Sequence, residues 1–258
     1  ATSLGVRFEY DSNIQRVDIN STKAKGVVIN DKFQSFDYVV ASADYHHVEQ
    51  DLLPASHRRY SEQYWQKRVM APSSLIFYLG VNKKIDHLLH HTLFFDEDFT
   101  RHAEQIYDQP QWPTAPQFYV SCPSKTDPSV APEGHENIFI LIPVAPGLTD
   151  EETTRERYFE MVISRLERLI GQNIRNHIVF KRSYAHRDFV QDYNAFKGNA
   201  YGLANTLMQT ANLKPSILNK KIKNLFYTGQ LTVPGPGVPP SIISGKVVAK
   251  ELIKSHKE

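Results

Sequence analysis

The sequence predicts an α/β fold in which helices lie on a mixed sheet, and three observations lead there. Short apolar bursts alternate with polar residues over positions 6–41, in the two-residue period of strands. A stretch after residue 150 repeats its apolar residues at the helical period instead. Near the C-terminus a strand-like run passes through a Gly/Pro loop straight into a helix-like run.

Composition bounds what such a fold can do. At 258 residues and 41% hydrophobic, the chain can bury a core and form one large domain or two small ones. The formal charge of +2 comes from 30 basic and 28 acidic side chains spread along the whole length, which argues against a nucleic-acid partner. Cys122, the single cysteine, cannot form an internal disulfide and supplies no metal framework, which fits a reducing compartment. The longest apolar stretch, 138–144, is interrupted by Pro143 and falls far short of the roughly 20 residues that span a bilayer, so membrane contact is expected to be peripheral. The N-terminus has neither a basic region followed by an apolar run nor a small-residue cleavage site, and reads as a chain already under way.

Taken in order, Val6 and Phe8, then Ile14, Val17 and Ile19, then Val27 to Ile29 predict an antiparallel meander, with turns at Asp11-Ser12-Asn13, Asn20-Ser21 and Asn30-Asp31. Residues 38–41 follow as a buried strand. Directly after it, 43–53 predicts a short helix with Asp44 as N-cap, and such a strand-to-helix corner commonly faces a ligand in open α/β sheets. Strands are predicted at Ser73–Val81, 92–99, 116–124 and 137–144. The long helix follows, with Thr149 and Glu152 in capping-box spacing, an apolar face of Phe159, Val162, Ile163, Leu166, Leu169 and Ile170, and Gly171 as its stop. Ile178–Tyr184 predicts another strand and 192–214 an irregular Gly- and Asn-rich loop.

The closing stretch "NLFYTGQLTVPGPGVPPSIISGKVVAKEL" holds the most chemistry. Gly229 ends a short apolar strand and permits a close backbone approach. "PGPGVPP" can be neither helix nor ladder, because its prolines lack donors. Ile242, Gly245, Ala249, Leu252 and Ile253 then share one helical face, predicted to lie against a sheet. A corner of this kind gathers backbone N–H groups and the positive end of a helix dipole, which suits an anionic or strongly polar planar ligand. A plain strand-to-helix connector satisfies the same residues equally well.

"GQLTVPGPGVPPSIISGKVVAKEL" resembles the C-terminal flavin-binding signature of the phytoene desaturase family of carotenoid-forming flavoproteins. "FYVSCPSKTDPSVAPEGHENIFILIPVAP" and "YNAFKGNAYGLANTLMQTANLKPS" are similar to two further blocks of that family, in the right order. The resemblance implies part of a Rossmann-like FAD/NAD(P)-binding domain, from residues 1–66 and 216–258, plus a mixed-sheet α+β substrate domain over 67–215. The family opens with G-x-G-x-x-G, which occurs nowhere in these residues. The chain therefore looks like the C-terminal portion of a longer enzyme, expected by itself to hold FAD only weakly and to self-associate through an uncovered apolar face.

Residue by residue, the resemblance places Gly229 and Gln230 at the FAD ribityl and pyrophosphate, and Gly235, Gly237, Val238 and Pro239 near the isoalloxazine. It places the backbone at Val17 against the adenine, with Ser42, Ala43 and Asp44 nearby. Gln230 and Val233 depart from the relatives' usual residues. The implied reaction removes a hydride and a proton from adjacent allylic carbons of a phytoene-like C40 precursor, the hydride going to flavin N5, in a cytoplasmic enzyme held peripherally at a membrane. No triad is expected, because the cofactor does the difficult step. An amine or protoporphyrinogen oxidase type of flavoenzyme, and a lipid-binding module without redox activity, are the alternatives.

Other residues invite assignments that the bland reading outweighs. His87, His90 and His91 have i, i+3, i+4 spacing that could hold a metal on a helix, but a solvated helix end explains them better. His46 and His47 are adjacent and would diverge on a helix. Cys122 reads as a small buried hydrophobe, and the Lys125–Asp127 segment as a surface turn.

Overall fold

The alternating bursts fold as three antiparallel strands, β1 (Ile14–Asn20), β2 (Lys23–Ile29) and β3 (Lys32–Ser35). Ser21, Asn30 and Asp31 turn the chain between them with φ of 55°, 46° and 63°, a conformation that Asn and Asp tolerate better than most residues. Val6 and Phe8, expected to open the meander, lie outside any strand. After β3 come β4 (Val39–Ala41) and α1 (Tyr45–Asp51), capped as predicted by Asp44, whose carboxylate accepts from the His47 N–H at 3.2 Å. β4 is less buried than expected: Val40 is 45% exposed, in a sheet of two strands. Ser61 caps α2 (Glu62–Gln66), accepting from the Tyr64 N–H.

A computed structural model describes residues 1–256 and separates them into two compact units, Ala1–Arg68 with the segment from Asn205 onward, and Val69–Ala204. The second unit is built on five strands, β5 (Ser73–Val81), β6 (His91–Phe94), β7 (Phe118–Ser121), β8 (Glu136–Val144) and β9 (Ile178–Tyr184), in the order β6-β7-β8-β5-β9. Every pairing in this sheet is antiparallel. Two strands are shorter than predicted. The one expected over 92–99 stops at Phe94, because Asp98 accepts the N–H groups of Thr100 and Arg101 and so starts α3 (Phe99–Tyr107), a helix absent from the sequence reading. The one expected over 116–124 is confined between Pro116 and Pro123, neither of which can donate to a ladder.

On one face of that sheet the alternate residues Ile138, Ile140, Ile142 and Val144 of β8 are wholly buried against α4 (Glu152–Ile170), which presents Phe159, Val162, Ile163, Leu166 and Ile170. Gly171 ends α4 in the left-handed region at φ 68°, as predicted. The predicted capping box does not form: Glu151 is the N-cap, without a side-chain cap bond, and Thr149 lies outside the helix, where its carbonyl accepts from Trp112 Nε1. Leu169, expected on the apolar face, is 42% exposed. After β9 comes α5 (His186–Tyr193), a helix absent from the sequence reading that ends where the predicted loop over 192–214 begins.

The chain then returns to the first unit as β10 (Leu225–Tyr227) and α6 (Val238–Ser255). β10 pairs in parallel with β4, Leu225 opposite Val39 and Tyr227 opposite Ala41. α6 buries a different face from the predicted one: Ser244 and Val248 are buried, while Ile242 is 70% and Ile253 57% exposed. Beneath these elements sits a buried polar cluster. Glu49 accepts from the Arg59 and Tyr60 N–H groups at 2.8 and 2.7 Å and from Tyr227 Oη at 2.6 Å, and Tyr227 stacks on Tyr45. Burial pushes the Glu49 carboxyl up, against the pull of those hydrogen bonds.

Candidate functional site: the corner of two parallel strands

Because β4 and β10 run in parallel, their C-terminal ends leave the sheet side by side. The Thr228 N–H donates to the Ala41 carbonyl at 2.9 Å, and a Cβ placed on Gly229 would lie 3.8 Å from the Ser42 carbonyl oxygen. Ser42 and Ala43 are exposed here, and Asp44 and Gln230 half-buried, so four of the predicted residues share one corner with Gly229. Gly229 takes φ 105° and donates its N–H to Ser244 Oγ at 3.1 Å. The same hydroxyl lies 2.8 Å from Thr228 Oγ1 and 2.9 Å from Thr232 Oγ1. A single buried serine of α6 thus ties the start of the loop to the helix that follows it.

Gly235 and Gly237 hold φ of 128° and 111°, and Gly237 is the N-cap of α6. Gly235 is buried, whereas Gly237, Val238 and Pro239 are exposed, Val238 by 76%. One expectation for this corner needs correction. Pro239 and Pro240 follow Val238 in the first turn of α6 and carry no N–H, so the helix start offers few backbone donors; the dipole remains, and any strong anion contact must come from a side chain. Val17 stands apart in β1, 5% exposed, with its N–H given to the Leu52 carbonyl at 3.0 Å.

The remaining candidates resolve into structural roles. His87 and His90 lie outside any helix and His91 is in β6, so the helical spacing that suggested a metal does not exist. Among the described residues no group of His, Cys, Asp and Glu could hold a metal ion. His46 pairs with Glu62 and His47 with Asp51, each at 2.7 Å. Cys122 is fully buried, its thiol pushed up by that burial. Asp127 caps the turn Pro128–Val130, while Lys125 pairs with Glu136 at 2.7 Å.

Two features were missed from the sequence. In the first unit a cleft of about 1040 Å³ is lined by Arg59, Tyr60, Tyr64, Arg68 and Lys214 and reaches the loop at Val233 and Pro234. The "RRY" and "QKR" runs held its cations, but their spacing follows no periodic pattern that would have joined them to Lys214. In the second unit, the face of the sheet turned away from α4 carries Tyr78, Phe139, Leu141, Tyr119 and Leu93, with Tyr78 on Phe139 at 5.5 Å and Tyr119 on Phe139 at 6.2 Å between ring centroids. Tyr78, Phe139, Leu141 and Tyr119 each sit one position off the buried residues of their strands, which is all the sequence signal there was.

The family model described as flavin containing amine oxidoreductase matches residues 1–253. A carotenoid 3,4-desaturase of Haloarcula japonica is 40% identical over 251 residues, 97% of this chain and 51% of that protein. A 4,4'-diapophytoene desaturase of Staphylococcus aureus is 28% identical over 99% of this chain and 53% of its own length. The chain thus spans about half the length of these relatives. An oxidoreductase structure from Methanosarcina mazei aligns with a TM-score of 0.58 at 13% identity, covering 93% of this chain and 49% of that one, and a Pyrococcus furiosus structure aligns with 0.54 at the same identity, covering 93% and 46%. At such identities these two establish the fold alone. The resemblance first carried by the Gly/Pro loop and its two upstream blocks is matched along nearly the whole sequence, and the chain belongs to the flavin-containing amine oxidoreductase family, among its phytoene desaturase-type members.

Proposed function

We propose that this chain is the C-terminal half of an FAD-dependent carotenoid desaturase. The observation that carries the reading is the strand, Gly/Pro loop and helix corner, where Gly229, Gly235 and Gly237 take positive φ and a Cβ at Gly229 would meet no atom nearer than 3.8 Å, which leaves backbone there open to a flat ring. The same residues fit the cofactor the family implies: a Cβ at Gly235 would fill the space now taken by the Lys214 side chain, and the Lys214 ammonium is buried without a partner. FAD, when bound, supplies the acceptor for the hydride that leaves the polyene. The residues of this chain would hold and orient it, Gly229, Gln230 and the Ser42–Asp44 corner at the ribityl side, the Gly235–Pro239 backbone along the ring, and Val17 by the adenine. Residues 1–66 and 216–258 would then be the FAD-binding part and 67–215 the substrate part.

For a substrate, the aromatic and aliphatic row Tyr78, Phe139, Leu141, Tyr119 and Leu93 supports a long apolar polyene better than an amine or an acid, since most of the surface it offers is aromatic and aliphatic carbon. No helix among the described residues is long and apolar enough to cross a membrane. Leu93, Phe95 and Phe99 are each 62% exposed around a small apolar cavity, which supports peripheral contact with the bilayer in which such a substrate dissolves.

The polypeptide that carries this chain is expected to purify yellow, with a flavin spectrum, and to add conjugated double bonds to a C40 polyene presented in liposomes. Gly237→Val should remove the flavin while far-UV circular dichroism stays unchanged, because φ is 111° and a Cβ there would press on Pro240 Cδ at 3.3 Å. A colourless protein, or a Gly237→Val variant with full flavin content, would overturn the reading.

A further inference from the structure

Lys214 follows the short turn Ala211–Leu213 and precedes Pro215. It is only 5% exposed, yet its ammonium makes no hydrogen bond and no ion pair. Burial pushes its pKa down from the ordinary lysine value. The side chain runs along Gly235: a Cβ built on that glycine would stand 3.3 Å from Lys214 Cε and 3.6 Å from Nζ. Gly235 is thus where the loop gives up a side chain and Lys214 uses the space.

The surroundings make this a built site. Lys214 lines the same cleft as Arg59 and Arg68, and Arg68 Nε is likewise buried without a partner. Arg59 gives Nη1 to the Leu218 carbonyl, so its charge is placed but not neutralised there. Among the described residues no acidic side chain lines the cleft. Tyr60 and Tyr64 stack on each other at 4.3 Å between centroids, with the Arg68 guanidinium over Tyr64, and form a flat aromatic wall. Three cations thus line one cleft that no acidic side chain lines, beside a helix start whose prolines cannot donate. That is the complement of a planar ligand that bears, or acquires, negative charge.

We propose that Lys214 is the charge partner of the bound cofactor, placed beside the Gly235 loop to pair with the negative charge that a flavin ring gains on two-electron reduction. The proposal rests on the flavin reading above. It assigns Lys214 a contact with the cofactor itself, and it leaves the substrate to the other unit. Positive charge near the pyrimidine side of a flavin stabilises its anionic forms, so the residue sets how readily the ring accepts electrons.

Sulfite tests this without turnover, since it adds through sulfur to flavin N5 and leaves the ring anionic. The polypeptide carrying this chain, purified with its flavin, is titrated with sulfite and its midpoint potential measured beside Lys214→Met and Lys214→Arg. Lys214→Met is expected to keep its flavin, to bind sulfite about tenfold more weakly or worse, and to show a more negative potential, with Lys214→Arg recovering most of both. Should Lys214→Met fail to fold, Lys214→Gln, neutral but polar, carries the same expectation. A yellow parent protein whose neutral variants bind sulfite within about twofold of it, at unchanged potential, overturns this proposal and leaves the flavin reading standing. A parent protein that neither contains nor takes up flavin overturns both.

Discussion

Asp150 and Arg155 show what one buried ion pair asks of its neighbours. Arg155 Nε and Nη2 donate to the two oxygens of Asp150 at 2.7 and 2.5 Å, and Nη2 also reaches Asp188 at 2.7 Å. Burial pushes the Asp150 carboxyl up, but the Arg155 bonds and charge and the Arg187 N–H outweigh it, and the net effect holds this carboxyl below its ordinary range. The sign follows: a depressed folded-state pKa adds stability above the unfolded value of about 3.9 and loses it as pH falls through that region. Asp150→Asn leaves the buried guanidinium with Asp188 as its remaining acidic partner and is expected to cost about 2–3 kcal/mol at neutral pH. Urea unfolding at pH 7 and near pH 3 checks both parts, because the cost should shrink in acid. Equal costs at the two pH values would mean that the fold does not hold the Asp150 carboxyl below its ordinary range.

At the scale of the element, α6 is the part of the chain where periodicity misled. Its apolar residues Ile242 and Ile253 face outward, while Ser244 turns in to meet Thr228, Gly229 and Thr232. Hydrogen-bonding demand at the strand end decided the rotation of the helix, since leaving the half-buried Gly229 N–H and the buried Thr232 hydroxyl without Ser244 costs more than leaving aliphatic surface wet. Ser244→Ala should therefore destabilise the fold by about 1–3 kcal/mol, although it replaces a polar residue by a good helix former. Thermal unfolding reads the loss, and a neutral or stabilised variant would show that packing alone sets the helix. α3 offers the converse case, since Phe94, Phe95 and Phe99 resemble a strand until Asp98 caps the backbone behind them.

For the whole molecule, the segment Val69–Ala204 is continuous in sequence and contains an entire hydrophobic cluster, from Leu75 through the β8 isoleucines to Ala185. Its strands pair only with one another and α4 covers one face. Expressed alone, residues 69–204 are expected to fold and to unfold in a single cooperative step, with dispersed amide resonances. A molten spectrum would show that the cluster depends on the rest of the chain. Within that unit Ile140→Ala, at the centre of β8, should cost about 2–5 kcal/mol.

What the sequence determined by itself is local and periodic: the meander, the Asp44 cap, the Gly171 stop, the α4 core face apart from Leu169, and the Gly/Pro loop with its family resemblance. These rest on forces between neighbours a few residues apart, so their traces are legible in order along the chain. Tertiary structure alone decided that α6 turns Ser244 inward and that Lys214 comes to rest against Gly235. Those depend on burial and on hydrogen-bond satisfaction between segments distant in sequence, and no residue announces beforehand which distant partner will exclude its water.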